Sequence, residues 1–424
     1  MITSLRLLNF KSFANESLRL GPLTVIVGAN ASGKSNICDA FRFLHAIGRG
    51  YSLPEVLGGR IGAGGQVDWP GIRGAPHELA RLKAGSMAPN FLASFGIQIE
   101  FQLNGEEVHY SINVGIDPNH PAKYVVLAEK LRSGSWTIFE TIDKNESGHW
   151  IKFWKSANDE FPVQLGFDRS KPALTQFQGH LKSAWYRTLE PIGIHGALEN
   201  MRFVDFSLDR LRESSFPGAV ALGDAGQNLP ATLEEICANS KRGKDTLTSW
   251  LREITPMEVV DFKFPRDPDG RTHLKLVEES GIEISVHSAS DGTLRFLALL
   301  AILLGPNPGG FYFFEEIDTG IHPARSAQLL ELIERQTCQS AVQIATTTHQ
   351  SNLLEWASDE TFSNTSVVFR DEGESFSVVR PLAALPNATK LRNTQGFGHL
   401  HPTGWIENAL ALSEEKGESQ QARF

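Results

Sequence analysis

The sequence predicts an α/β fold in which a mixed sheet is split along the chain by a helical insertion, with no long coiled coil. Three observations carry this. Leu23 to Val27 is a short apolar run leading into the glycine-bearing stretch Gly28 to Ser35, and apolar residues at helical spacing follow from Asn36 to Ile47. Phe311 to Phe314 is a second apolar run, ending in Glu315 and Glu316. Between about Pro162 and Pro256 the pattern turns helical, broken by Pro191, Pro217 and Pro230 and free of sustained heptads.

Taken in order, Ile2 to Phe10 and Leu23 to Val27 are rich in β-favouring residues and read as strands. The helix over 36–47 places Ile37, Ala40, Phe41, Leu44 and Ile47 on one face, which can pack on a sheet. Gly58 to Gly65 follows no strand and lacks the third glycine of a dinucleotide fingerprint, so it is expected to be a surface loop. Alternation in Ile97, Ile99, Phe101 and Leu103, a turn at Asn104-Gly105 and the return through Val108, Tyr110 and Ile112 describe a β-hairpin over 95–114. A strand pair is expected around Tyr124 to Ile142, then helices at Leu181 to Leu189 and Leu229 to Ala238. Strand character returns at Glu258 to Phe264 and His273 to Val286, followed by an apolar helix from Thr293 to Leu304 and strands at Phe311 to Phe314 and Ala341 to Thr346. The expected divisions are an N-terminal part with an antiparallel β-subdomain (1–160), a helical lid (161–256) and a C-terminal part (257–424).

The 424 residues, 41% of them hydrophobic, can bury an ordinary core. The longest apolar run, Phe296 to Leu304, falls short of the roughly 18 residues a membrane-spanning helix needs. With no signal-peptide pattern at the N-terminus, a cytoplasmic location is expected, without membrane attachment. The three cysteines, Cys38, Cys237 and Cys338, are too scattered for a disulfide framework or a zinc site. A net charge of -9 supplies no global attraction to nucleic acid.

Gly28-Ala29-Asn30-Ala31-Ser32-Gly33-Lys34-Ser35 fits G-x-x-x-x-G-K-[ST], the Walker A phosphate loop. Glycines let backbone N–H groups wrap phosphates, and the helix N-terminus adds positive potential. Nucleotide-contacting residues are therefore expected at Gly28 and from Asn30 through Ala31, Ser32, Gly33, Lys34 and Ser35 to Asn36, with Lys34 on the β- and γ-phosphates and Ser35 on Mg²⁺. The aromatic strand ending in Glu315-Glu316 has a Walker B pattern: Glu315 is expected to hold the Mg²⁺ shell and Glu316 to polarise the attacking water, although Asp is commoner at the first position. ATP and Mg are the cofactors these motifs imply. Ser290 or Asp291 reads as a helix N-cap. His399 and His401 form no metal site, because a third ligand is missing.

Ser290-Asp291-Gly292-Thr293-Leu294-Arg295 ahead of the Walker B strand resembles the signature motif of ABC-type ATPases, in the form similar to the SMC, RecF and OLD-type branch and to bacterial AAA-family ATPases. Asn9-Phe10-Lys11-Ser12-Phe13 resembles that branch's opening strand, Gly226-Gln227-Asn228-Leu229 a lid segment, Ile317-Asp318-Thr319-Gly320-Ile321-His322-Pro323 its D-loop, and Thr346-Thr347-Thr348-His349 its switch histidine. The resemblance implies a P-loop fold of ABC-ATPase type, ATP hydrolysis, and a homodimer or higher oligomer in which Ser290, Asp291, Gly292 and Asp318 meet nucleotide bound by the partner. His349 would sense the γ-phosphate. No Q-loop glutamine is identified; Gln66, near Arg73, is the weak candidate.

The resemblance further implies a switch or sensor of the kind found in antiphage defence, acting on a separately encoded nuclease or toxin, since the 75 residues after His349 leave little room for a nuclease domain. The alternative is a RecF-like repair or maintenance ATPase that binds DNA directly, which salt-sensitive affinity for duplex ends would favour. A transporter subunit is disfavoured by the gap of about 250 residues between phosphate loop and signature.

Overall fold

A computed structural model describes residues 1–75, 78–80, 94–117, 120–142, 149–154, 156–178, 193–219, 221–239, 241–255, 257–305, 310–339, 342–349, 351–370 and 376–394. The helix expected at Leu181 to Leu189 and the pair His399 and His401 lie outside them. The chain forms two compact units.

The first unit takes Met1–Gly21, Ile26–Met201 and Asn364–Pro381. Its strands follow one another from Val163–Phe167 through His149–Phe153, Trp136–Ile142, His120–Ser133, Glu106–Asp117 and Ser94–Leu103 to Ile2–Phe10, Phe13–Arg19, Ser377–Pro381 and Ser366–Arg370. Pairing is antiparallel as far as Phe13–Arg19 and becomes parallel where Ser377 meets Phe13 and where Ser366 and Val367 meet Ile26 and Val27. The expected hairpin is present: Ile97, Ile99 and Phe101 are buried while Gln98, Glu100 and Gln102 take the other face, and Asn104 and Gly105 turn at φ 52 and 84. Helix Lys34–Gly48 buries its apolar stripe and lies so close to the helix Ile194–Glu199 that a Cβ on Gly48 would fall 2.7 Å from the Glu199 amide nitrogen.

The second unit takes Pro22–Val25, Arg202–Ser363 and the described residues from Leu382 onward. Phe311–Phe314 and Gln343–Thr348 are buried along their whole length and pair in parallel, with Phe314 opposite Thr346. Such continuous burial is what a parallel sheet covered on both faces requires. Helix Asp291–Leu304 is almost entirely buried, and Val259–Lys263, Lys275–Glu278 and Glu283–Ser285 form a separate antiparallel sheet.

One expectation changes. Gly58 to Gly65 is not a plain loop: a helix Leu53–Gly58, whose N-terminus is closed by a Ser52–Glu55 capping box, leads into a hairpin of Arg60–Ile61 and Val67–Trp69 turned at Gly64 and Gly65 with φ 92 and 79. Within residues 161–256, Val163–Phe167 is a strand, and the two compact units divide between Met201 and Arg202. The strand character expected at His273 to Val286 is present as two short strands, Lys275–Glu278 and Glu283–Ser285. Among the described residues, no helix is long and apolar enough to cross a membrane.

Candidate functional site

The phosphate-loop half belongs to the first unit. Gly28 has no space for a side chain, since a Cβ would stand 2.1 Å from the Val368 carbonyl oxygen and 2.7 Å from Ser32 Oγ. Ala31 at φ 63 and Gly33 at φ 113 are both left-handed, and between them the chain reverses into helix Lys34–Gly48. Alternating handedness of this kind turns successive backbone N–H groups to one side and creates an anion cradle. Ser32 Oγ is buried within the loop without a hydrogen-bond partner, an orphan donor of the kind a phosphate oxygen satisfies. Asn30, Ala31 and Ser35 are exposed, and the exposed Ser35 hydroxyl is a suitable hard-oxygen ligand for magnesium.

Lys34 is only 6% exposed, and its Nζ donates to the carbonyl oxygens of Gly28 at 2.6 Å and Ala29 at 2.8 Å. The ammonium therefore bridges its own loop, and anionic phosphate oxygens offer it stronger acceptors than these neutral carbonyls. Asn36 Nδ2 donates to Ser12 Oγ at 2.8 Å, tying the helix to the Asn9–Phe13 segment.

The sequence did not reveal what supports this loop from below. Asp39, 1% exposed, accepts from Lys11 Nζ at 2.5 Å and from Arg73 Nε at 2.9 Å, while Arg73 Nη2 donates to the Ser35 carbonyl at 2.9 Å. Lys11, Asp39 and Arg73 line a cavity of about 440 Å³ that also touches Ser35 and Asn36, with the Glu78 carboxylate balancing the second cation. The available signal was an aspartate one helical turn after Ser35 on a face otherwise apolar.

The carboxylate half belongs to the second unit. Glu316 follows the strand in a left-handed conformation, φ 54, which a non-glycine residue holds only when its surroundings fix it. They do so at three points: its N–H donates to Thr347 Oγ1 at 3.0 Å, its Oε2 accepts from Thr319 Oγ1 at 3.1 Å, and its Oε1 lies 2.7 Å from His349 Nε2. A carboxylate in contact with an imidazole can hold or pass a proton. Glu315 is half-buried at the strand end, with its N–H directed at the Val204 carbonyl at 3.4 Å. Asp318 is buried; loss of solvation pushes its carboxyl up, opposed by the Thr348 hydroxyl that donates to Oδ2 at 2.7 Å. In this conformation it braces the turn.

Ser290 caps the helix Asp291–Leu304 by accepting from the Thr293 N–H at 3.2 Å. Asp291 forms an ion pair with Arg212 at 2.7 Å. Gly292 and Gly320 touch backbone to backbone, because a Cβ on Gly292 would fall 2.2 Å from the Gly320 carbonyl oxygen. Thus the second unit brings together Glu316 and His349, Asp318 and the strand bearing Thr348, and the signature and D-loop segments. The first unit assembles Gly28 to Asn36 with Lys11, Asp39 and Arg73. Gln66 lies exposed in the small hairpin.

Residues 1–163 match the family model of an AAA ATPase domain. Residues 206–355 match the model of an AAA domain described as a putative AbiEii toxin of a type IV toxin–antitoxin system. No curated protein matches the chain by sequence. Among solved structures, the SMC head domain of Thermotoga maritima is 14% identical, over 90% of this chain and 98% of that one, with a TM-score of 0.45. An Smc head bound to the C-terminal winged-helix domain of ScpA is 16% identical over 92% and 99%, with a TM-score of 0.48. A Pyrococcus furiosus Smc head with an extended coiled coil, bound to the C-terminal domain of ScpA, is 15% identical over 89% and 95%, with a TM-score of 0.44.

Proposed function

We propose that the chain, whose residues 1–163 and 206–355 match models of AAA ATPase domains, is an ATPase of the SMC- and RecF-like branch that hydrolyses ATP as a dimerising switch and controls a separately encoded effector. Lys34 and the backbone N–H groups from Asn30 to Asn36 grip the triphosphate. Ser35 and Glu315 supply oxygen ligands for magnesium, which when bound offsets charge on the β- and γ-phosphates. Glu316 orients the attacking water and accepts its proton, with His349 keeping that carboxylate aligned and reporting whether the γ-phosphate is intact. Ser290, Asp291, Gly292 and Asp318 act on nucleotide held by the partner copy, so that ATP closes the dimer and hydrolysis opens it. A nuclease or toxin is the class of effector.

The observation that carries the catalytic part is the three-point fixation of Glu316, with the imidazole of His349 at 2.7 Å. Glu316→Gln keeps the side-chain shape and removes the base. Phosphate release is expected to fall by roughly 10²-fold or more while ATP binding persists. Hydrolysis at the unaltered rate would remove Glu316 from the reaction; if Glu315→Gln alone stops turnover and spares Mg²⁺-ATP binding, the two carboxylates exchange roles.

A further inference from the structure

On the antiparallel sheet of the first unit, Glu100 stands directly opposite His109 across a strand pair, and Glu107 precedes His109 by two residues on the same face. His109 Nδ1 lies 3.1 Å from Glu100 Oε1, and Nε2 lies 3.2 Å from Glu107 Oε1. Ser4 Oγ donates to Glu100 Oε2 at 2.8 Å and fixes that carboxylate. Nε2 is buried, yet its approach to Glu107 lacks hydrogen-bond geometry. A neutral imidazole has one N–H, so with a carboxylate on each side one lone pair must face another unless a cation intervenes.

One oxygen from each carboxylate and one ring nitrogen lie within 4.8 Å of one another. Bonds of about 2.0–2.2 Å to a tetrahedral zinc-like ion place its ligand atoms roughly 3.4 Å apart, close to the 3.2 Å already present between Nε2 and Glu107 Oε1. Arg132 stands opposite His109 on the next strand; even with its charge counted, two carboxylates leave the cluster net anionic while the ring is neutral. We propose that Glu100, Glu107 and His109 form a site for a divalent transition metal ion, with zinc as the ion this mixed nitrogen and oxygen donor set suits. The site ties the two strands of the hairpin together. It is independent of the ATPase reading, since none of its ligands is assigned to nucleotide.

The test uses the full chain without nucleotide or magnesium. Zinc titrated calorimetrically is expected to bind one equivalent tightly, and cobalt in its place to give the visible absorption of a four- or five-coordinate ion. His109→Gln and Glu107→Gln are each expected to weaken zinc binding at least tenfold and to abolish the zinc-induced rise in melting temperature. These are surface positions, and circular dichroism checks that both variants fold. The same zinc affinity in His109→Gln, which would place the ion on exposed Cys338 or elsewhere, overturns the site. So does the absence of binding by the unaltered chain at 100-micromolar-scale zinc (about ten times a weak micromolar Kd).

Discussion

Thr347 Oγ1 accepts the backbone N–H of Glu316 at 3.0 Å, so a buried hydroxyl on one strand fixes the left-handed turn that ends its neighbour. The contact acts on the backbone, whereas His349 and Thr319 act on the carboxylate. Thr347→Val preserves shape and removes the acceptor, and the net loss of a typical hydrogen bond is about 0.5–1.5 kcal/mol. The expected result is a fall in kcat of up to about tenfold with KM for ATP little changed, and recovery in Thr347→Ser. Equal losses in the Val and Ser variants would mean that packing, not the hydroxyl, is responsible.

Lys34→Ala removes the ammonium that spans the loop. Nucleotide affinity should collapse, because the phosphates would meet the cradle without its one point charge. Equilibrium binding of a labelled ATP analogue measures this, and near-normal affinity would place the pocket elsewhere.

If each site draws the signature from a second copy, Lys34→Ala and Ser290→Arg are each inactive, yet mixing them restores turnover. One composite site in the heterodimer then carries both lesions and the other neither. Turnover is followed against mixing ratio, with exchange verified by differently tagged chains. Complete exchange with no single-turnover activity in the purified heterodimer would count against shared sites.

His195 is buried, and loss of solvation lowers its pKa from 6.5 to about 4. The unfolded chain therefore takes up a proton that the folded chain refuses as pH falls from 6.5 towards 4, and stability is lost across that window. At about 1.4 kcal/mol per unit the loss reaches about 3 kcal/mol. His195→Leu should flatten the dependence of the denaturation midpoint on pH between 4 and 6.5. An unchanged slope would assign the acid sensitivity to other groups.

Much of the nucleotide half was readable because it is local: strand, loop and helix lie within Leu23–Gly48, and the spacing of Ile37, Phe41 and Leu44 states which face is buried. Phe311–Phe314 was equally plain, since four consecutive aromatics fit only a strand covered on both sides. The Lys11, Asp39 and Arg73 cluster was not readable, because it joins three distant segments whose meeting is decided by strand pairing. Helix Ser326–Gln339 carries Leu329, Leu330, Leu332 and Ile333 on a buried side, a periodic signal present in the sequence just after the D-loop. The boundary at Met201 was hidden for a different reason: the four-residue strand Met201–Val204 sits inside a stretch that otherwise reads as helical and is too short to stand out by its own alternation.

The carbonyl of Val368 that excludes a side chain at Gly28, and the Ser377 N–H that donates to the Ser12 carbonyl at 2.8 Å, come from a strand pair synthesised more than three hundred residues after the loop they border. Contacts so distant in sequence form late and slowly. A nascent chain halted before Ser366 carries every residue of the phosphate motif but none of these neighbours. On the ribosome, ATP is therefore expected to be captured only after the two late strands have emerged, which makes nucleotide binding a signal that synthesis has passed this point.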